Sequence, residues 1–418
     1  MSATSNPRSS TGFEQKGASM QRALSLTIWV AALGHVGGAG AEGTFRLSPE
    51  VAVEARFFGS EPQFDGQFDR VQGSVIFSGD LRWTSEDRST RVLIEPYLRI
   101  DQQDDERTYF DLREGSVSYR IGDWDFLAGV TQVFWGVAES RNVVDVINQL
   151  DTVEDFDEGE KLGQPMIRIG RVTDFGTFEA YYLPFFRERE FPGVDGRLRT
   201  PLAVDEGAAA YERGAEAFAG DVALRYANRF GDFDLGLHAF YGTSRNPILS
   251  PNEAGTRLEP FYPRLVQGGV DLQYTRGPWL LKLEAVGANA ADNTFASAVT
   301  GFEYTFFDIR RSGIDVGLIG EYLYDSRDQD IAPVTVFEND LFAGTRVTLN
   351  DTQDTELLAG AIIDTQTSGV IGSVEFQRRI GDRILLEVEG RFFIGSNDPL
   401  VEPFADDDHV LLRLTRFF

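Results

Sequence analysis

From Val51 onward, apolar and polar residues alternate with a period of two, the spacing that sends successive side chains to opposite faces of an extended strand. Val51, Val53, Ala55 and Phe57 stand against Glu54 and Arg56. Val71, Gly73, Val75, Phe77, Leu81 and Trp83 stand against Gln72, Ser74, Ser78, Asp80 and Arg82. The last residues repeat the pattern, with Val410, Leu412, Leu414 and Phe418 on one face and His409, Leu411, Arg413, Thr415 and Phe417 on the other. Each segment predicts a strand with one oily and one wet face. A soluble sandwich would alternate in the same way locally, so the connections must discriminate.

The connections alternate in length. Tight turns at 85–89, Gly122-Asp123, 173–176, Gly231-Asp232, 276–278 and Gly381-Asp382 exchange places with polar segments at 59–69, 101–108, 136–164, 186–219, 242–263, 325–338 and 396–408. This predicts an all-β fold: an antiparallel up-and-down barrel of about eighteen strands, with sixteen as the alternative, both ends lying at the tight-turn rim. Aromatics near strand ends (Trp83, Tyr97, Trp124, Phe134, Trp135, Tyr181, Tyr182, Phe233, Tyr241, Tyr274, Trp279, Tyr322, Tyr324, Phe392) predict two interfacial girdles. The alternating strand with Leu412 and Leu414 that stops on Phe418 resembles the closing strand of bacterial outer-membrane β-barrels, where a final Phe is the assembly signal. The resemblance implies a transmembrane barrel among outer-membrane lipid and lipopolysaccharide of a Gram-negative bacterium, its last strand read by the barrel-assembly machinery. Arg416 departs from the pattern, and is expected at the rim with its head among headgroups.

Residues 1–41 read as an upstream extension followed by a secretory signal, with Met20 the expected start. Arg22 is the positive residue, Ala23 to Leu33 the apolar run and Ala39-Gly40-Ala41 the cleavage site. That leaves 42–418 as a single barrel, with too few residues before the first strand for a plug domain. The apolar run is about half of the ~20 residues a spanning helix needs. If the chain crosses a membrane, strands must carry it.

Composition removes whole classes of chemistry. With no Cys there is no disulfide, thiolate metal site or Cys nucleophile. A net charge of −27 argues against nucleic acid as a partner. Acidic clusters at Asp101, Asp104, Asp105, Glu106 and at Asp406, Asp407, Asp408 could hold external Ca²⁺, but neither has an ordered ligand spacing, so no cofactor is expected.

Residues 130–164 break the alternation. After Gly136, the apolar positions Val143, Val144, Val146, Ile147 and Leu150 have the spacing of a short helix, and an acidic run follows. An external loop with an apolar face must bury it, and the barrel mouth is nearest, so the loop is expected to fold inward. Glu139, Asp145, Asp151, Glu154, Asp155, Asp157 and Glu158 would then form a pore constriction, with Arg168 on the facing wall completing a transverse field. An acidic loop that is merely solvated, or bridged to lipopolysaccharide by cations, stays open as the alternative. The second long loop, with Arg187, Arg189, Arg197 and Arg199 and an Ala-rich stretch suited to a helical turn or two, would add basic charge at the mouth.

Trp135, Gly136, Glu139 and Ser140, followed by Val146, Ile147 and Asn148, resemble the signature of a porin-like outer-membrane family of unknown function. The likeness covers 130–195, including KLGQP at 161–165, and implies a pore constricted by this loop. The expected function is passive passage of small polar solutes, without catalysis, in a monomer or homotrimer. Two alternatives remain: a barrel-bound hydrolase, for which His238 would be the candidate, and a structural or adhesive barrel that conducts nothing.

Overall fold

The structure, a computed structural model, describes residues 43–418 except 156–158, 334, 336, 396, 397, 399 and 400. The leader expected at 1–41 and the candidates Asp157 and Glu158 lie outside the described residues.

The first seven strands are β1 (Gly43–Phe58), β2 (Val71–Ser85), β3 (Thr90–Asp101), β4 (Tyr109–Ile121), β5 (Trp124–Thr131), β6 (Gln164–Thr173) and β7 (Gly176–Leu183). Next come β8 (Ala210–Tyr211), β9 (Asp221–Phe230), β10 (Phe233–Thr243), β11 (Ile248–Pro251), β12 (Leu258–Tyr262) and β13 (Arg264–Arg276). The last are β14 (Trp279–Ala290), β15 (Asn293–Phe306), β16 (Asp315–Asp325), β17 (Asn339–Thr348), β18 (Glu356–Asp364), β19 (Val370–Ile380), β20 (Ile384–Ile394) and β21 (His409–Phe417). Eighteen of these form one closed antiparallel barrel, in which β21 returns to β1 with Leu414 opposite Val53 and Leu412 opposite Ala55. Closure leaves no unpaired edge. The other three, β8, β11 and β12, make a small sheet within the loops.

The period-two pattern sorts side chains between outside and lumen. Val53, Phe57, Val71, Phe77, Leu281, Phe302, Leu318, Leu341, Leu412 and Leu414 are exposed, while Glu54, Arg56, Gln72, Ser74, Glu284, Glu321 and His409 are buried. Leaving apolar surface in water costs about 25 cal/mol per Å², so this exterior is matched to hydrocarbon. Arg416 is exposed at the closing rim, its guanidinium 5.0 Å from the Phe418 ring centre.

Trp124, Tyr182, Phe233, Tyr241, Trp279, Tyr322, Tyr324 and Phe392 are exposed outside, where girdle aromatics belong. Three of the expected girdle residues instead point into the lumen, each with an internal partner. The Tyr97 hydroxyl donates to Glu154 at 2.7 Å and the Tyr181 hydroxyl to Glu179 at 2.8 Å. Trp135 packs edge-on against Tyr181, 5.7 Å between ring centres.

Tight turns carry glycine where the chain needs positive φ: Gly122 (56°), Gly231 (64°) and Gly381 (65°). The alternation of lengths is less regular than the sequence predicts. Ala291 and Asp292, with φ of 50° and 59°, join β14 to β15 tightly at the loop rim, whereas 307–314 and 349–355 are longer links at the opposite rim. An Ala-Asp pair carries no turn signal, which is why the sequence hides that hairpin.

Candidate functional site: an inward loop and the passage beside it

Residues 132–155 and 159–163, between β5 and β6, fold into the lumen. Trp135, Val144, Val146 and Ile147 pack with Met166, Leu183, Phe240, Val286 and Phe295 from the inner wall. Ala138 and Val143 pack against Val299, Ile319, Leu323 and Phe342. Burying Val144, Val146 and Ile147 contributes about 1.5–3 kcal/mol each.

The short helix expected over 143–150 does not form, and the loop is held by wall carboxylates that accept its amide hydrogens, most of them just upstream of that stretch. Glu284 on β14 accepts from the N–H groups of Val137 (2.6 Å), Ala138 (2.9 Å) and Val144 (3.3 Å). Glu321 on β16 accepts from the N–H groups of Glu139 and Ser140, both at 2.8 Å, and from the Ser140 hydroxyl at 2.6 Å. At Gly136 a Cβ would lie 1.9 Å from the Asn142 Oδ1, so a side chain there is excluded. Asn148 ties the two ends of the loop together. Its Nδ2 donates to the carbonyls of Thr131 and Leu162, both at 2.9 Å, and its Oδ1 accepts from the Val133 N–H at 2.8 Å. Asp145 accepts from the N–H groups of Trp135 (2.6 Å) and Gly136 (3.1 Å) and pairs with Lys161. The signature residues thus anchor the loop.

The acidic candidates divide. Asp151 meets Arg113 at 2.6 Å and Tyr109 at 2.8 Å. Glu154 pairs with Arg99 and, at 3.0 Å, with Arg413, while Asp155 lies 3.9 Å from Arg391. Glu139 reaches Arg346 at 2.8 Å and Lys282 at 3.5 Å. Arg168 does point inward, yet it pairs with Asp125 and Glu179 on the neighbouring strands rather than with the loop. Asp151 and Glu154 are therefore set against Arg99, Arg113 and Arg413 of β3, β4 and β21, and no loop acid meets the expected Arg168 among the described residues.

Burial alone would raise the Glu154 carboxyl. Arg99, with Arg107 and Arg413, outweighs burial and holds it down to about 2, below the usual 4.5. A depressed carboxyl contributes its stabilisation fully above the ordinary value and loses it as pH falls through the folded-state value. The hold that Glu154 gives the loop should therefore persist down to about pH 4.5 and be lost between there and about 2, read as the part of the urea midpoint in detergent that Glu154→Gln removes. Release already at neutral pH would contradict this pairing.

The second long loop, 184–220, runs over the first. Arg187 donates to Asp111 at 2.6 Å, and Arg197 donates to Asp407 at 2.5 Å. The Arg199 guanidinium donates to backbone carbonyls, among them Val194 and Asp65, both at 3.1 Å. These arginines stitch the mouth together instead of facing Asp151 and Glu154. The Ala-rich stretch yields two 3₁₀ turns, Glu206–Ala208 and Glu216–Phe218. Among the described residues no group of three or more acidic or histidine side chains is placed to hold a metal.

The lumen is filled on one side and open on the other. The side chains of Arg99 and Glu54 are 0 % and 1 % exposed. Across the barrel, on β17 to β19, the inward side chains of Arg346, Glu356 and Glu375 are 30 %, 28 % and 38 % exposed. A cavity of about 340 Å³ lies there, bounded by Glu139, Arg141 and Asn142 of the loop and by Phe342, Leu358, Ile362, Ile371, Glu375 and Arg391 of the wall. Glu303, Glu356 and Glu375 were not singled out from sequence. Strand parity could have found them, since each stands two residues from another lumen position.

No protein-family model and no curated protein sequence matches the chain. Solved structures do share its fold. Wzi of Escherichia coli, an outer-membrane protein of group 1 capsule assembly described as a carbohydrate-binding β-barrel, aligns with a TM-score of 0.52 at 9% identity, over 94% of this chain and 87% of Wzi. A BenF-like porin of Pseudomonas fluorescens and OccK8 (OprE) of Pseudomonas aeruginosa each align with a TM-score of 0.51 at 10% identity, over 91% of this chain and 99% of theirs. At such identities the likeness is one of fold.

Proposed function

We propose that the protein sits in the outer membrane of a Gram-negative bacterium and lets small polar solutes diffuse through its barrel. The carrying observation is that charged inward side chains on β17 to β19 remain accessible beside the loop, whereas Arg99 and Glu54 on the β1 to β4 side are fully buried. The apolar exterior and the porin-like fold of the solved structures support the setting.

Accessible acids along the passage (Glu139, Glu303, Glu356, Glu375) outnumber its accessible cations, chiefly Arg346 and the less exposed Arg391. A weak preference for cations follows. Changing Glu356 and Glu375 together to Gln should move the reversal potential in a salt gradient toward zero. An unchanged potential would remove these carboxylates from the conducting path.

The hydrolase alternative gains nothing from the site. The His238 ring meets the Gln267 amide at 3.1 Å and lies tilted against Trp135, 5.1 Å between ring centres, and among the described residues its Nδ1 has no hydrogen-bond partner. A triad requires a nucleophile and a carboxylate at those nitrogens. We assign the closing strand as the signal for the assembly machinery, on the alternation that ends at Phe418. Phe418→Ala should lower the folded yield in the outer membrane while leaving refolding from urea into detergent unchanged. Equal yields in cells would sink that assignment.

A further inference from the structure

The passage is amphipathic. Phe342, Ile362 and Ile371 stand opposite one another across β17, β18 and β19, and Leu358 lies two inward positions from Ile362, with only Gly360 between them. All four line the cavity and make a continuous apolar patch inside an otherwise charged lumen. Their role as a seat for the loop does not account for the whole patch. Phe342, Leu358 and Ile362 touch that cluster, but Ile371 is not part of it and remains half-buried.

Two pairs of charges beside the patch are already matched. Glu375 and Arg391 lie 2.9 Å apart, and Glu139 and Arg346 lie 2.8 Å apart. A charged solute would have to compete with one of these pairs, which a neutral hydroxyl does not. Hydroxyls can bond to the outer lone pairs and N–H groups while both pairs stay closed. At about 340 Å³ the cavity is at the small end of organic ligand sites, which run from ~300 to 1,000 Å³.

The geometry points to a solute class: neutral, hydroxylated molecules with one apolar face, of the size of an aryl glycoside. This rests on the pore reading and narrows it. Such a solute lays its apolar face on Leu358, Ile362 and Ile371 and turns its hydroxyls toward the paired charges. A sugar without an apolar group gains only the polar half of the contact.

The test is interruption of single-channel current by phenyl glucoside, glucose and phenyl glucuronide added to the wild-type protein in a planar bilayer. Phenyl glucoside should block at the lowest concentration, about tenfold below glucose, if the ring covers the patch. Ile371→Thr and Leu358→Asn, which put a polar group in place of an apolar one, should each raise its half-blocking concentration about fourfold and leave glucose unaffected. Equal block by phenyl glucoside and glucose with normal open-channel current would overturn this inference alone. Tighter block by phenyl glucuronide would overturn the neutral class. Absence of any current would overturn the pore reading and this inference together.

Discussion

Replacing Arg99 with Met should destabilise the barrel by about 3 kcal/mol or more and release the inward loop. The Arg99 side chain is fully buried and bridges two carboxylates that otherwise repel each other: Glu54, at 2.8 and 3.1 Å, and Glu154, whose Oε2 lies at 2.8 Å. Ser74 accepts a further hydrogen bond from it at 2.9 Å. Met fills much of the volume but leaves both acids without their main cation. The remaining arginines, Arg107 and Arg413, contact the same acids and limit the loss. Urea titration in detergent reads the shift in midpoint. Adding Glu154→Gln to Arg99→Met should recover part of it, because the repulsion between the two acids is then gone. A single variant indistinguishable from wild type would mean that Arg99 is not the keystone of this wall.

The second large effect lies on the other side of the loop. Glu284→Ala together with Glu321→Ala removes the acceptors for five loop N–H groups, those of Val137, Ala138, Glu139, Ser140 and Val144. Each buried donor left unsatisfied costs about 1–3 kcal/mol, so the segment exchanges the wall for water. Open-channel current should rise severalfold and become noisy while the barrel itself stays folded. Here the stability readout and the conductance readout separate, because strand pairing does not depend on either carboxylate side chain. Unaltered current in the double variant would show that apolar packing of Val144 and Ile147 holds the loop unaided.

How much of this was legible in the sequence depends on which force sets each feature. Strand positions, the inside–outside phase and the closing register followed from alternation, because a one-residue slip would put Glu54 and Arg56 into the apolar belt. The inward fold of residues 132–155 and 159–163 was legible too, from an apolar face with nowhere else to go. Its conformation was not. The spacing of Val143, Val146, Ile147 and Leu150 is helical, yet Val143, Val146 and Ile147 pack on the inner wall without a helix, and the segment just before them is fixed by Glu284 and Glu321, which are distant in sequence. The partners of the acids were equally hidden. Arg168 was the nearest inward arginine along the chain, whereas the cations that meet Asp151 and Glu154 come from β3, β4 and β21, brought round by barrel closure. Tyr97, Trp135 and Tyr181 looked like girdle residues because rings near strand ends give no sign of their face unless parity is counted from a fixed neighbour.

In the proposed pore, solutes travel beside β17 to β19 while the β1 to β4 side is closed. The chain has no cysteine, so single thiols can be placed without background. Ser373→Cys puts one on the lining of the open cavity and Ser74→Cys puts one on the filled side, where the native side chain is 4 % exposed. A cationic methanethiosulfonate added during current recording should cut conduction through the Ser373→Cys channel within minutes and leave the Ser74→Cys channel untouched. The reverse pattern, or equal reaction at both, would place the passage elsewhere and contradict the account.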